Sequence, residues 1–497
     1  MDLDFGYLTA ILFLPLAGII VIALLPKPQA RTIRLTALTF TLASFILSIA
    51  VFCLFDRSAG AIGQMQFEEK ISWIPAINAF YHLGVDGLSL PMVILMTFLG
   101  FLAVLVSWKI ELRPREYFIW LLLLETSILG VFCSLDLVLF FLFWELELIP
   151  MYFLISIWGS GRKEYAANKY LIYTLVGSAM MLAGILSIYF TTGSLGMMGL
   201  CGLSVASPVI PFAAMFFLLF IGFAIKLPMV PLHTWLPDAH TNAPTAVSVI
   251  LAGALLKMGG YGMIRLCVSI FPEIALRYAP LLVALAVVGV LYGAAVTMRQ
   301  RDLKRLIAYS SVSHMGYVLL GIFALSQISL TGAVLQMFSH GVITGLLFAM
   351  VGLVYDKAHE RNLDNLGGLA RRMPVITVVF TVAGLASLGL PGTCGFAAEF
   401  ITFVGCFSST AVGGIQIYTL LGVLGIVLTA GYILWMLQKV FYGSPLEKYD
   451  GVPDADNIEK VCIFSFVAVI MLIGVYPAIL TDVIKMGIMP IVKLIGL

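Results

Sequence analysis

Two lysines lie deep in apolar sequence, in a stretch that reads FAIKLPMVPLHTWLPDAHTNAPTAVSVILAGALLKMGGYGMIRL (residues 223–266). Lys226 and Lys257 are both many residues from the nearest polar loop. A lysine at the centre of a bilayer is disfavoured by about 2.5–3.5 kcal/mol, so it usually faces the interior of a helix bundle, a charged partner or water. We therefore interpret both lysines as ion-handling groups and not as side chains that reach a lipid headgroup.

Helix-breaking residues accompany each lysine. Pro228 and Pro231 follow the first lysine and remove two backbone donors, which predicts a break in the helix at the depth of the charge. Gly259 and Gly260 follow the second lysine and are expected to loosen its helix. An ionisable side chain beside a broken helix is typical of the binding sites of membrane transporters.

Further titratable residues fall within or between the apolar segments on both sides of the lysines. Burial makes a lysine release its proton more easily and a carboxyl less easily, and histidine titrates near pH 6.5. A line of such side chains joined by water can carry protons. The candidates are Glu125, Glu145, Lys226, His233, His240, Lys257, His314, His340 and Glu399, with Glu147 as a secondary carboxyl. At 100° per residue, Glu145 and Glu147 point about 200° apart, so they cannot face the same partner.

The composition places these residues in a membrane. Of the 497 residues, 61% are hydrophobic and 11% are charged, whereas a soluble domain carries about 25% charged residues. Apolar runs of 18 or more residues recur along the chain and predict an all-α polytopic membrane protein. We predict about fourteen transmembrane helices, with approximate limits 5–25, 33–55, 86–107, 116–133, 135–158, 168–192, 208–231, 243–268, 279–299, 303–325, 328–355, 374–405, 417–443 and 460–482.

The connections between these helices are short. The longest, residues 56–85, is too short for a catalytic domain, so residues 1–497 are predicted to form a single integral membrane domain. Glu399 follows Pro391 and neighbouring glycines in the twelfth helix, a design similar to that at Lys226. Two broken helices, the seventh and the twelfth, predict two inverted repeats. The two half-channel repeats would cover residues 116–268 and 279–443, with flanking helices in residues 1–107 and 460–482.

Positive charge indicates the orientation. Twenty of the 28 Lys and Arg residues lie in odd-numbered connections, and six lie in even-numbered connections or the C-terminal tail. Short cytoplasmic loops carry an excess of Lys and Arg, so the odd-numbered connections are predicted to be cytoplasmic and both termini to lie on the outer side.

The seven cysteines include no CxxC pair, and neither CxxCH nor GxGxxG occurs, so we expect no cofactor in this chain.

The central stretch resembles the signature of the antiporter-like membrane subunits of respiratory complex I, most closely those of the subunit M type. The resemblance extends from about residue 86 to 443. It includes FFLFWELELIPMYFLISIWG, RDLKRLIAYSSVSHMGYVLLG and LGLPGTCGFAAEF, which are similar to the fifth, the tenth and the broken twelfth helix of that family. The resemblance implies that Glu145 pairs with Lys226. Glu125 corresponds to a glutamate often present in helix four, whereas Glu147 is less typical.

The same resemblance implies the rest of the proton path. Lys257 would connect the Glu–Lys pair to the second half-channel. His314 and His340 would continue the path, and Glu399 would end it near the outer side.

The resemblance also implies the setting. The chain would translocate protons within a complex that oxidises NADH, reduced ferredoxin or a reduced deazaflavin and reduces a quinone in other subunits. Flavin, iron–sulfur clusters and quinone would be held by those partners. The expected partners are the L-, N- and K-type membrane-arm subunits, lipids and, indirectly, the peripheral redox arm, with no nucleic acid. The membrane would be a prokaryotic plasma (inner) membrane or a thylakoid membrane.

Three other functions fit parts of this pattern. The first is a subunit of an Mrp-type Na⁺/H⁺ antiporter, although those subunits typically carry lysine where this chain has Glu399. The second is the pumping subunit of a membrane-bound hydrogenase. The third is a scaffold whose buried charges only pair with neighbouring subunits. The residue at position 399 favours the complex I type over the Mrp type.

Overall fold

The computed structural model describes residues 6–26 and 29–496. Within these ranges the chain forms nineteen α-helices, one two-stranded sheet and several short turns of 3-10 helix. Lys27, one of the cations counted in the first connection, lies outside the described ranges.

The first half of the chain contains eight helices and the sheet. They are α1 (Tyr7–Leu24), α2 (Ala30–Leu54), β1 (Gln66–Ile74), β2 (Ala79–Val85), α3 (Leu90–Val106), α4 (Pro114–Cys133), α5 (Leu137–Leu146), α6 (Leu148–Trp158), α7 (Lys163–Thr192) and α8 (Phe212–Lys226).

The second half is entirely helical apart from its connections. Its helices are α9 (Trp235–Asn242), α10 (Thr245–Ile250), α11 (Leu256–Gly262), α12 (Pro272–Thr297), α13 (Leu303–Phe323), α14 (Gln327–Ala358), α15 (Pro374–Ser387), α16 (Cys394–Phe407), α17 (Ile415–Val440), α18 (Asn457–Val475) and α19 (Ala478–Ile495). Two stretches of π-helix, Leu251–Leu255 and Met263–Val268, flank α11 and join it to its neighbours.

Eleven helical segments of the described chain are long and apolar enough to cross a membrane. Four shorter apolar helices, α3, α8, α15 and α16, lie between them. The expectation of a polytopic helical membrane protein is therefore confirmed, while the number of fourteen spans stays a prediction.

Short polar residues begin several of these helices. The Asp136 carboxylate accepts hydrogen bonds from the backbone N–H groups of Val138 and Leu139 at the start of α5, at 2.9 and 3.3 Å. Asp302 caps α13 in the same way, through the N–H of Arg305 at 3.1 Å. Such caps satisfy donors that have no partner within the helix, which matters most where water is scarce.

The helices that carry the predicted site lie at the centre of the bundle. Every residue from Ala246 to Val268 is buried. In the most apolar part of α13 and of α14, 94% of the residues are buried, compared with 33% in α1 and 28% in α2 and α18. Side chains on the central helices are therefore shielded from lipid by the outer helices.

The backbone departs from a regular helix close to two of the predicted residues, Lys226 and Glu399. Helix α8 ends at Lys226, and α9 begins only at Trp235. Helix α15 ends before the segment 388–393, in which Gly389 and Gly392 have φ angles of 80° and 90°, and α16 then carries Glu399. These φ values favour glycine because a Cβ atom is strained there.

Gly259 has a different role from the one expected. It lies inside the regular helix α11, and a Cβ atom there would stand 2.7 Å from Leu227 N and from Phe223 O. The glycine therefore allows α11 to pack closely against the end of α8. The wider turns are the π-helical stretches 251–255 and 263–268 on either side of α11, whereas both glycines lie in its regular part, so the helix is not loosened at the glycines themselves.

Residues 56–85, predicted to be a plain connection, contain the sheet. Strands β1 and β2 pair antiparallel, with Lys70 opposite His82. The Asp136 carboxylate accepts a 3.1 Å hydrogen bond from Phe80 N and so attaches the hairpin to the start of α5. The prediction of a purely α-helical fold is wrong in this segment.

Helix α19 was also absent from the expected spans. Its buried face includes Val483, Ile484 and Ile488, while Asp482 and Lys485 are exposed. This alternation of apolar and charged residues lowers the average hydropathy, so a search for uninterrupted apolar runs passes over an amphipathic helix.

Candidate functional site

Lys226 forms a buried ion pair with Glu147. The ammonium donates a hydrogen bond to Glu147 Oε1, and Tyr170 donates to Glu147 Oε2 at 2.7 Å. Both charged side chains are almost fully enclosed, at 1% and 0% exposure. A carboxylate with two donors and an ammonium with a carboxylate partner can both stay charged away from water.

Aromatic rings complete the surroundings of this ammonium. Lys226 Nζ lies 5.5 Å from the ring centre of Trp144 and 5.3 Å from that of Tyr170. It is also 3.3 Å from the Tyr170 hydroxyl. The indole of Trp235 donates a 2.9 Å hydrogen bond to Ile225 O, which ties α9 to the last turn of α8. Contacts from Tyr170 and from Trp235, which lies beyond the non-helical segment after α8, thus fix the last turn of α8 beside the ion pair.

Glu145 is not the partner of Lys226, and the expected Glu145–Lys226 pair is wrong. Trp144 of α5 and Glu147, at the junction between α5 and α6, are buried, whereas Glu145 is half-buried and lines a groove of about 800 Å³ together with Leu142 and Ile149. The separation of about 200° between the two glutamates allows only one of them to face inward. Because both faces of α5 are apolar, the sequence alone did not show which face is buried.

Tyr170 was missed as well. It lies on α7, a helix in which sequence reasoning singled out no residue for the site. Its hydroxyl is the group that bonds the carboxylate of Glu147. Tyrosine is common in apolar helices, so only the contact with Glu147 distinguishes it from the others.

Lys257 lies in a second group of polar side chains. Its ammonium is 2.7 Å from His340 Nδ1 and also donates to Ala252 O. Ala252 belongs to the π-helical stretch just before the lysine. No carboxylate pairs with Lys257 within 4.0 Å in the described part of the chain.

The second group continues through two histidines to Glu399. The ring centres of His340 and His314 are 5.6 Å apart. His314 Nδ1 lies 3.4 Å from Glu399 Oε1, and His314 Nε2 lies 3.3 Å from Ser387 Oγ. These side chains line part of a cavity of about 10 Å³, which is at the lower limit of the space that one water molecule needs. Ser387 is a further residue that sequence reasoning missed.

His240 and His233 are both buried but stand apart from these hydrogen bonds. Neither ring nitrogen of either residue has a hydrogen-bond partner among the described residues. The His240 ring stacks on Phe348 with centres 4.4 Å apart, and the His233 ring meets Tyr292 edge-on at 5.2 Å.

Glu125 is buried in α4 without a cationic partner in the described residues. Its carboxyl fills the space above Gly100 of α3, where a Cβ atom would overlap it. The structure therefore places Glu125 in the interior, but it does not bring this residue into contact with either lysine.

Two groups of charged and titratable side chains thus lie inside the bundle, one around Lys226 and one from Lys257 to Glu399. Buried ionisable side chains destabilise a membrane protein, so they are usually present for a function. This arrangement is therefore typical of an integral membrane protein that moves ions or protons across the bilayer. A sequence profile of the family described as "NADH:quinone oxidoreductase/Mrp antiporter, TM" matches residues 134–429. The chain belongs to this family.

Individual relatives agree with this assignment. The chain is 42% identical to "NADH-quinone oxidoreductase subunit M" of Rhodobacter capsulatus, over 96% of this chain and 94% of that protein. It is also 42% identical to "NAD(P)H-quinone oxidoreductase chain 4 1" of Synechococcus elongatus, over 97% of this chain and 90% of that protein. The expected likeness to subunit M of complex I is confirmed.

Solved structures share the whole fold. A chain of respiratory complex I from Thermus thermophilus superposes with a TM-score of 0.87 at 28% identity, covering 99% of this chain and 100% of that chain. A chain of the Mrp complex from Dietzia superposes with a TM-score of 0.86 at 19% identity, covering 100% of both chains. The second match shows a common fold.

Proposed function

We propose that this chain is a proton-translocating, antiporter-like subunit in the membrane arm of a complex I-type quinone oxidoreductase. The observation that carries the proposal is the line of buried side chains in contact, from Lys257 through His340 and His314 to Glu399, beside the separate pair of Lys226 and Glu147. The 42% identity to subunit M of Rhodobacter capsulatus supports the same function.

The two groups have different tasks in this proposal. The ammonium of Lys226 is stabilised by Glu147 as long as the pair is closed. When the carboxylate moves away, the ammonium loses its counter-charge and releases a proton, because the pair titrates as one unit. The group that begins at Lys257 receives a proton and passes it along the histidines and Ser387, with water between the polar atoms, to Glu399.

The architecture that we propose for this task has fourteen spans. The eleven long segments, α3 and α8 account for thirteen, and α15 with α16 forms one further span that is interrupted at residues 388–393. Helices α8 and α9 form the other interrupted span. Residues 116–268 and 279–443 are the proposed inverted repeats, each with one interruption, and the Lys- and Arg-rich face is cytoplasmic with both termini on the other side.

The remaining members of the complex supply the redox chemistry. We propose that flavin, iron–sulfur clusters and quinone are held by partner subunits, and that electrons do not pass through this chain. L-, N- and K-type membrane-arm subunits are the proposed neighbours. The proposed location is a prokaryotic plasma membrane, with a thylakoid membrane as the alternative suggested by the cyanobacterial relatives.

The Mrp antiporter remains the second candidate because it shares the fold. The two functions differ in what drives proton movement: a redox reaction for complex I, and a sodium gradient for an antiporter. The identity of 19% to the Dietzia chain, against 42% to the oxidoreductase subunits, favours the redox-driven function.

The test uses inverted membrane vesicles that contain the assembled complex with Lys226→Ala. Donor-driven quinone reduction and proton uptake are recorded together, with and without sodium. We expect both rates to fall together while electron transfer to artificial acceptors persists. Lys448→Ala, at an exposed lysine, is the control and keeps both rates. Wild-type rates in the Lys226→Ala vesicles contradict the proposal, and sodium-driven proton movement without an electron donor supports the antiporter instead.

A further inference from the structure

A second large cavity opens at the Lys- and Arg-rich face of the bundle. It has a volume of about 760 Å³ and lies where the ends of α3, α6 and α14 meet the starts of α4, α10 and α13. Ser107, Tyr117, Ser160, Thr245, Lys304 and Asp356 are among the residues that line it. Neither group of site residues described above borders on this cavity.

Lys304 is the buried cation in the wall of this cavity. It lies in the first turn of α13, two residues after the capping residue Asp302, and is 6% exposed. Its ammonium donates a 2.7 Å hydrogen bond to Ala243 O. No carboxylate lies within 4.0 Å of it among the described residues, and the carbonyl is its hydrogen-bond partner. At longer range the charges of Asp302, Asp356 and Arg361 act on this ammonium. A buried ammonium held in this way is costly unless it has a use.

His240 is close in sequence to the residue that Lys304 contacts. Ala243, which accepts the hydrogen bond of Lys304, is three residues after His240 at the end of α9. The His240 ring is completely buried, has no hydrogen-bond partner in the described chain, and experiences the charges of both Lys304 and Lys257. The charges of His240 and of Lys257 in turn act on His340. His240 is therefore a buried histidine on which the charges of both lysines act.

We propose that the cavity and Lys304 form the cytoplasmic intake of the proton path, with His240 as the relay to Lys257. The inference rests on the proposed function and adds the residues that load the path. The ammonium of Lys304 gives one proton to a neutral ring nitrogen of His240, through water, and becomes a neutral amine. The amine then takes up a proton that water carries in from the cytoplasm and returns to the ammonium. His240 passes that proton on toward Lys257, so each transfer ends with the donor in its starting state.

A purely structural role for Lys304 makes a different prediction. If Lys304 only ties α13 to the end of α9, a side chain that keeps a donor for Ala243 O preserves function. Lys304→Gln keeps an N–H donor without a titratable proton. Lys304→Arg keeps the donor and the charge, but a guanidinium does not release its proton at physiological pH.

The first experiment compares both variants with wild type in inverted vesicles, after the amount of assembled complex has been measured. We expect proton uptake to fall by about tenfold or more in both, as for loss of a positioned proton-transfer group. We also expect the wild-type dependence of the uptake rate on cytoplasmic pH to disappear. Wild-type uptake in either variant overturns the inference and assigns Lys304 the structural role.

The second experiment blocks the cavity and leaves Lys304 in place. Ser160 lines the cavity and is exposed, and Ser444 is exposed outside it, so Ser160→Cys and Ser444→Cys form a matched pair. A bulky membrane-impermeant maleimide is added to the exposed cytoplasmic face, and treated wild type controls for the seven native cysteines. We expect labelling to slow proton uptake in Ser160→Cys alone. Equal rates for labelled Ser160→Cys and Ser444→Cys contradict an intake through this cavity.

Failure of this inference is distinguishable from failure of the proposed function. If Lys226→Ala stops coupled proton uptake while both Lys304 variants pump normally, the proposed function stands and the intake lies elsewhere. If Lys226→Ala pumps normally, the proposed function itself is wrong.

Discussion

Lys226 pairs with Glu147 and not with Glu145, although the two glutamates are only two residues apart. Glu147 shares the interior with Tyr170, whereas Glu145 borders an outward groove. The direction in which each side chain leaves the helix therefore decides which carboxylate can control the charge of the lysine.

The two glutamates provide a matched pair of substitutions. Glu147→Gln leaves the Lys226 ammonium buried without its carboxylate, and removal of one partner of a buried ion pair typically costs about 3–5 kcal/mol. We expect redox-driven proton uptake in vesicles to fall by at least about tenfold. Glu145→Gln is expected to keep most of the rate, and a larger loss in Glu145→Gln than in Glu147→Gln would show that the pairing is wrong.

Tyr170 supports the carboxylate through one hydrogen bond. Tyr170→Phe removes the hydroxyl that donates to Glu147 Oε2 and retains the ring beside Lys226. A hydrogen bond to a charged group contributes about 1.5–3 kcal/mol, so we expect a smaller loss of proton uptake than in Glu147→Gln. Tyr165→Phe, at an exposed tyrosine on the same helix, serves as the control. Identical pumping by the Tyr170 and Tyr165 variants would exclude a role for the hydroxyl.

Lys257 and His340 are expected to act as a unit because Lys257 Nζ and His340 Nδ1 are 2.7 Å apart. Either Lys257→Met or His340→Gln interrupts the same step, so the double variant should lose little more than the worse single variant. Side chains in direct contact show coupling energies of about 0.5–3 kcal/mol in a double-mutant cycle. The cycle is measured on the rate of proton uptake. Additive effects would show that the two residues serve separate routes.

A buried ion pair away from the proposed path makes a prediction about stability. Arg265 is 5% exposed and donates to Asp86 at 2.6 Å, which holds the start of α3 to the end of the segment that contains Lys257. Arg265→Met leaves the buried Asp86 carboxylate without its cation, at a typical cost of about 3–5 kcal/mol. We expect less assembled complex and a lower midpoint of thermal denaturation in detergent. Arg277→Met, at an exposed arginine that forms no ion pair in the described part of the chain, should leave the amount of complex and the midpoint unchanged. An unaffected Arg265 variant would exclude a structural role for the Arg265–Asp86 pair.

Gly259 tests the close approach of α11 and α8. Gly259→Ala places a methyl group 2.7 Å from two backbone atoms, which cannot move as a flexible side chain can. Overpacking of this kind typically costs about 1–3 kcal/mol, so thermal stability should fall and proton uptake with it. Gly289→Ala is the matched control, since no atom lies within 4 Å of a Cβ atom at that buried helical glycine. Equal stability of the two variants would mean that the helices separate without cost.

Much of the fold follows from local sequence. The apolar runs predict the long helices because a backbone in lipid must satisfy its own hydrogen bonds, and helices do so within one segment. The missed elements are those in which this signal is weak. The hairpin at residues 66–85 is short and polar, and α19 mixes charged residues with its apolar face.

The sequence by itself determined the class of membrane protein, the two buried lysines, and the histidines and glutamate that extend from Lys257. These conclusions hold without coordinates because a charge in a long apolar segment needs an explanation wherever its helix packs. The tertiary structure decided which groups meet: Glu147 with Lys226 instead of Glu145, Tyr170 on their carboxylate, and Lys304 beside a cavity. In helices that are apolar on every side, no periodicity marks the inward face, and only packing against neighbouring helices selects it.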